Sequence, residues 1–333
     1  MKQKVGLSWT FVAALMLSSA ACTGSADSSE PTPASSTSTP SLLEQVVADY
    51  NVRNNAAIAA AGHYDASLWK TADAGAILDG DMFDTRYDEV FNEPAQTGEH
   101  LYRAVQQYGT VRDSYPKWVL GTVTTTNSSA APTPSTATAS SSTAPSSDPD
   151  ILVAVFEQAS DGAPWLMSQE VATRRADLPT EASGAAATLE QQQNATVIGQ
   201  LLAKWFSTGE APPWLDLRQA ADFRAKQVDP GEFSDRRISC SLYSDLAPQT
   251  GVSDAIRVAR AGSTSLIAVS LKCSTTTTAA TSRTVVWKEG WDKLYPNEPG
   301  GAYLRKPWVA MVLLASPDEG TPAVLGIRGK TVL

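Results

Sequence analysis

An α+β fold made of two similar halves is what this 333-residue chain predicts, and three observations carry the prediction. Each half opens with apolar residues at helical spacing, and later runs alternate apolar and polar residues as strands do. Each half then closes on an apolar run, a turn and a second apolar run. The closing segments echo one another: ILVAVFEQ, ASDGAP, WLMSQEV at 151–171, and WVAMVLLA, SPDEGTP, AVLGIRGKTV at 308–332. Both read as β-hairpins with Ser/Asp/Gly/Pro turns. Pro164 and Pro322 lie 158 positions apart, and Leu43 and Leu201 are separated by the same 158. Helices followed by hairpin-closed strands predict, in each half, N-terminal helices packed on a curved antiparallel sheet.

Taken in order, residues 1–21 read as an export signal. Lys2 and Lys4 precede an apolar stretch from Val5 to Leu17, which is too short to span a bilayer as a helix. Leu17-Ser18-Ser19-Ala20-Ala21-Cys22 is similar to a bacterial lipoprotein signal, in which the cysteine thiol takes the lipid and becomes the new N-terminus. Ser19 stands where such signals usually carry an apolar residue, and Ser19-Ala20-Ala21 also fits ordinary secretory cleavage. Cys22 is the expected lipidation site, a palmitate-bearing anchor to the cell membrane, with plain secretion as the alternative. Residues 22–40 are a Ser/Thr/Pro-rich tether.

The first domain is expected over 41–178. Leu43, Val46, Val47, Tyr50 and Ala57 share a helix face, and 117–123 and 151–157 read as strands. Between those strands lies an expected disordered insertion at 124–149, composed almost wholly of Ser, Thr, Ala and Pro. Pro179, Thr180, Ser183 and Gly184 mark the passage to a second domain over 185–333. Its opening stripe is Leu189, Val197, Ile198, Leu201, Leu202, Trp205 and Phe206, ended by Gly209 and Pro212.

Three cysteines are an odd number, and the export reading resolves it. With Cys22 given to lipid, Cys240 and Cys273 remain, each on the apolar face of a strand-like run. Outside the cytoplasm a disulfide between them is the natural outcome.

The runs YPKWVLG at 115–121 and VFEQASDGAPWLMSQEV at 155–171, together with the lipoprotein start, resemble an uncharacterised family of actinobacterial envelope lipoproteins. The helix-then-curved-sheet plan in turn is similar to the NTF2-like fold, a cone around an apolar pocket. That resemblance implies an envelope address and a ligand-sized cavity, and no activity.

Composition excludes several function classes. The net charge of −9 becomes −11 once residues 1–21, with Lys2 and Lys4, are removed. An acidic chain is a poor partner for nucleic acid, which needs clustered cations. Only His63 and His100 are present, outside any zinc-type spacing, and no nucleophile elbow or phosphate-binding loop occurs. No catalytic residue, metal ligand or cofactor is therefore expected. Asp79, Asp81, Asp84, Asp88 and Glu89 form an acidic cluster whose spacing departs from a calcium loop, and it reads as a solvated acidic turn and helix start. Trp287, Trp291, Tyr295, Tyr303 and Trp308 gather late in the chain among cations, and they are the candidate binding residues for a glycan or partner. The function this leaves is non-enzymatic binding of a small apolar ligand or an envelope protein. Its rivals are a carboxylate-dependent cell-wall enzyme and a structural or chaperone-like accessory lipoprotein.

Overall fold

A computed structural model describes residues 40–333 except 95–97, 112, 129–149, 183–185, 230, 232–234, 245–249, 281–282 and 299. The signal, Cys22, the tether to Thr39 and most of the Ser/Thr insertion lie outside the described residues. The chain is α+β, with two antiparallel sheets.

Helix α1 (Leu42–Ala61) begins at a capping box in which Ser41 and Glu44 satisfy each other's backbone N–H groups. It buries Leu43, Val46, Val47, Tyr50 and Ala57, the stripe the sequence shows. After α2 (Trp69–Ala72) and α3 (Gly75–Phe91) comes a four-stranded meander, β1 (Glu99–Val111), β2 (Lys117–Ser128), β3 (Asp150–Gln158) and β4 (Leu166–Arg174). Strand β2 runs through Ser128, so pairing continues five residues into the stretch expected to be disordered.

Helix α4 (Leu189–Thr208) opens the second half with its own capping box, Thr188 and Gln191, and stops at left-handed Gly209. Its buried face is narrower than the sequence stripe. Ile198, Leu202, Trp205 and Phe206 are buried, whereas Leu189 and Val197 are about half exposed, at 51% and 50%. Leu189 sits in the first turn and Val197 on the outer face, where a sheet on one side only gives them nothing to pack against. Leu201 is only half-buried, unlike Leu43, so the helices do not keep the 158-residue spacing.

The second sheet contains β5 (Asp235–Leu242), β6 (Ile256–Ala261), β7 (Thr264–Thr278), β8 (Tyr303–Pro317) and β9 (Ala323–Thr331), following α5 (Arg218–Val228). Strands β5 and β6 pair with successive stretches of β7, residues 271–278 and 264–269, on the side away from β8. Together they occupy the position that β1 holds alone beside β2. The first meander and the second sheet thus follow one plan, with β7, β8 and β9 standing for β2, β3 and β4. The spacing of 158 does hold here. Register shifts fall between Val155 and Phe156 in β3 and between Leu313 and Leu314 in β8, each pair displaced by 158 from the other.

Both halves protect an open sheet edge with a helix, as exposed strand edges require. Asn51 on α1 donates to the Tyr102 carbonyl and accepts from the Tyr102 N–H, both at 2.9 Å, and Asn55 accepts from His100 N–H at 2.8 Å. In the second half Ser207 of α4 accepts from Cys240 N–H on edge strand β5 at 2.9 Å.

The two halves form one compact unit, Pro40–Leu333, and share a core. On β8 the side chains of Val309, Met311 and Leu313 join the core of the first half, while Trp308, Ala310, Val312 and Leu314 join the core under α4 and α5. Strand β9 approaches β4 so closely that a Cβ on Gly326 would overlap the Ala172 carbonyl oxygen. A buried ion pair also crosses the halves, with Arg257 of β6 donating to Glu157 of β3 at 2.7 Å.

Cys240 and Cys273 form the disulfide, directly opposite one another in the β5–β7 ladder with Cα atoms 4.1 Å apart. Cys273 is buried and Cys240 half-buried, so only one of the pair belongs fully to the core. The bridge spans 33 residues, for which chain entropy gives about 3.5 kcal/mol of stabilisation. Replacing both cysteines with serine is expected to cost about that much. Urea unfolding with and without reductant checks it, the reduced wild type falling to the level of the double variant.

Candidate functional site

The site begins with two β-bulges. In a regular strand, residues three apart point to opposite faces, and one extra residue reverses that phase. Ser168 is the extra residue in β4: Val155 pairs with Gln169, and Phe156 pairs with Met167. Met167 and Glu170 consequently line the same cavity. Leu325 is the extra residue in β9, between Val324 and Gly326. Before it Val324 faces the α4–α5 core; after it Gly326 faces β4, and Arg328 and Lys330 follow at the same alternation.

Helix α3 meets those side chains from the other wall. Asp81, Asp84 and Asp88 recur at i, i+3 and i+7 and line the cavity together. Lys330 reaches across to them, paired with Asp81 and with Asp84 at 3.3 Å. It passes over Gly80, where any Cβ would overlap the lysine chain. Opposite them, Arg328 pairs with Glu170, which also accepts from the Tyr102 hydroxyl at 3.3 Å. The cavity has a volume of about 350 Å³, with Tyr50, Trp69, Tyr87, His100 and Tyr102 as its aromatic walls.

Behind the wall is a buried acid. Asp73 follows α2, and its backbone bridges to Met167 of β4, with Ala74 N–H donating to the Met167 carbonyl at 2.9 Å. The Tyr50 hydroxyl donates to Asp73 at 3.0 Å. Burial, then the nearby Asp81 carboxylate, push the Asp73 carboxyl well above the usual carboxylate range. Tyr50 is likewise pushed up by burial and by Asp73. Burial also raises Asp84, and burial with the neighbouring Asp84 charge raises Asp88.

The acidic cluster read in the sequence as a solvated turn and helix start lies instead in the middle and later turns of α3, which begins at Gly75, and its members are divided. Asp81, Asp84 and Asp88 line the cavity, Asp79 accepts from the Tyr243 hydroxyl at 2.7 Å, and Glu89 pairs with Arg86. Among the described residues no group of three His, Cys, Asp or Glu side chains has metal-binding geometry. Sequence reasoning missed Asp73, Glu170, Arg328 and Lys330. Lys330 and Asp81 are 249 residues apart, and no local spacing reports such a pair.

The late aromatic residues part company. Trp287, Trp291 and Tyr295 stack, with centroids 4.9–6.1 Å apart, and pack against Phe83, Tyr87 and Phe91 of α3. Trp308 lies in the α4–α5 core, its indole N–H donating to Thr275 at 3.0 Å. Tyr303 is exposed at the start of β8, apart from both. His63 is exposed in the turn after α1, and His100 packs beside Tyr102 at 4.8 Å on the cavity wall. No protein-family model matches the chain, and no curated protein is similar to it at a meaningful level.

The upward shift of Asp73 gives a signed prediction. A carboxyl whose folded pKa is raised binds its proton more tightly in the native state. The stability this lends is fully present below the unfolded value near 4 and is lost as pH rises through the folded value. The chain is expected to lose stability as pH rises from about 4 toward that value. Asp73→Asn, which keeps a neutral donor in place, is expected to flatten that fall. Urea denaturation of both proteins across this range checks it.

Proposed function

We propose that the chain is a lipid-anchored envelope protein that binds a small polar ligand bearing a cationic amine in the cavity between α3, β4 and β9. The observation that carries this reading is the charge balance of the wall. Four carboxyl groups, Asp81, Asp84, Asp88 and Glu170, face two cations, Arg328 and Lys330, both already paired. Burial raises Asp88 and the Asp84 charge adds to it; an ammonium group entering beside the two relieves that repulsion, and the tyrosine and tryptophan faces favour a cation further. A volume of about 350 Å³ suits a small molecule, at the lower end of ligand pockets. The polar wall argues for an amine over an apolar guest.

Carboxylate-only catalysis is the rival reading, and Asp73 is the residue that favours it: burial and a second carboxyl group raise its hold on a proton, the direction a general acid needs. Its position weighs against it. Asp73 is 1% exposed and sits behind Tyr50, so its proton reaches no ligand directly.

Calorimetric titration with putrescine and glucosamine, against glucose and acetate as neutral and anionic controls, tests the reading. The amines are expected to bind and the controls not, with Asp88→Asn weakening the amines roughly tenfold. Equal binding of glucose and glucosamine removes the proposal.

The address rests on the signal segment and on Cys22, and the Cys240–Cys273 disulfide agrees with an oxidising compartment. Cys22→Ala is expected to release the chain from the membrane fraction and to abolish incorporation of labelled palmitate. Retention with unchanged labelling overturns the anchor.

A further inference from the structure

A second pocket lies on the far side of the aromatic stack, and it has the opposite charge. It has a volume of about 310 Å³ and is walled by Trp287 and Trp291, by Arg236, Lys288 and Lys306, and by Thr275, Thr277 and Gln227. The two indole rings are nearly parallel, 14° apart, and Trp287 is fixed by its N–H donating to the Glu298 carbonyl at 2.6 Å. Lys306 Nζ stands 4.8 Å above the Trp291 ring, and among the described residues no carboxylate pairs with it. In a chain of net charge −9, three cations converging on one pocket run against the overall balance.

From this geometry we infer a binding site for a small acidic sugar, a carboxylate-bearing pyranose. Each wall meets one part of such a ligand. The half-buried indole surfaces that line the pocket take the apolar C–H face of the ring, beside the stacked pair rather than between the two rings, whose centroids are 5.9 Å apart. The threonine hydroxyls of β7 and the Gln227 amide of α5 hydrogen-bond to its hydroxyl groups. Lys306 takes the carboxylate by charge-assisted hydrogen bonds, in the positive field of Arg236 and Lys288. Burial and the neighbouring Arg236 charge lower the Lys306 pKa, a cost that a bound anion relieves. This pocket shares no residue with the carboxylate-walled cavity, so it is a separate site for a ligand of opposite sign.

Tryptophan fluorescence titration of the full chain with glucuronate tests the inference, with glucose and inorganic phosphate as controls. Saturable quenching by glucuronate is expected, at least roughly tenfold tighter than by glucose or phosphate. Lys306→Gln is expected to lose that preference while both indoles and the melting temperature are retained, and Lys306→Arg to restore it. Equal affinity for glucose and glucuronate overturns the proposal, since stacking alone would then account for binding. Equal affinity for phosphate overturns it as well, since charge alone would suffice. So does the absence of saturable quenching, or a Lys306→Gln variant that folds and binds glucuronate as before.

Discussion

Burial of β8 on both faces is the constraint on which the rest of this structure depends. From Trp308 to Leu314 every side chain is buried, alternately toward α4 and α5 and toward the first half of the chain. A strand of this kind gains the apolar contribution on each side, about 25 cal/mol for each Å² removed from water. It is satisfied only if something covers each face. The helices of the second half supply one cover, and the first half supplies the other. The shared core follows, and with it the close passage of Gly326 over Ala172 and the ion pair from Arg257 to Glu157. A buried pair of this kind stabilises little by itself, but removing one partner leaves an uncompensated charge. Its loss therefore costs more than its presence contributes.

The carboxylate-walled cavity is a consequence of that contact. Its floor belongs to α1, β1 and β4, and its two cations come from β9 of the other half. Neither half contains the site. The bulges at Ser168 and Leu325 decide which side chains enter it, because each reverses the alternation just before Glu170 and just before Arg328 and Lys330. An extra residue in a strand costs a ladder interaction and re-aims everything after it. Here two equivalent extra residues aim one acid and two bases into a single seam.

Period-2 and period-3.6 patterns were enough to read the helices and the closing hairpins, since each is written in neighbouring residues, and the cystine followed from the cysteine count and the export signal. The α1 stripe from Leu43 to Ala57 is buried as its spacing implies, and the 158-residue echo survives at the bulges. What failed was non-local. Asp81 and Asp84 look like part of a solvated turn and helix start until Lys330 arrives from the last strand, and Trp308 looks like its neighbours Trp287 and Trp291 until β8 turns it into another core. Val197 looks apolar and buried, yet it faces outward, because a stripe drawn from sequence gives no width for the surface that covers it.

The two halves are most alike where they are structural and least alike where the candidate chemistry lies. β2 to β4 and β7 to β9 keep the same order and the same bulge positions. The connection from β7 to β8 carries α6 (Trp291–Leu294) and the stacked indoles, at the place where the first half has its Ser/Thr/Pro-rich segment. Helix α3 brings an acidic face to the seam, whereas α5, which packs on β9, carries Phe223 against Gly329. The shared plan fixes the strands, and a strand residue that changed would disturb two faces at once. A connecting segment meets no such restriction, and its side chains are free to differ. Both pockets lie where such a segment or helix meets the conserved plan, one lined with carboxylates and the other with cations. The repeated plan thus leaves room for two pockets of opposite charge in one compact unit.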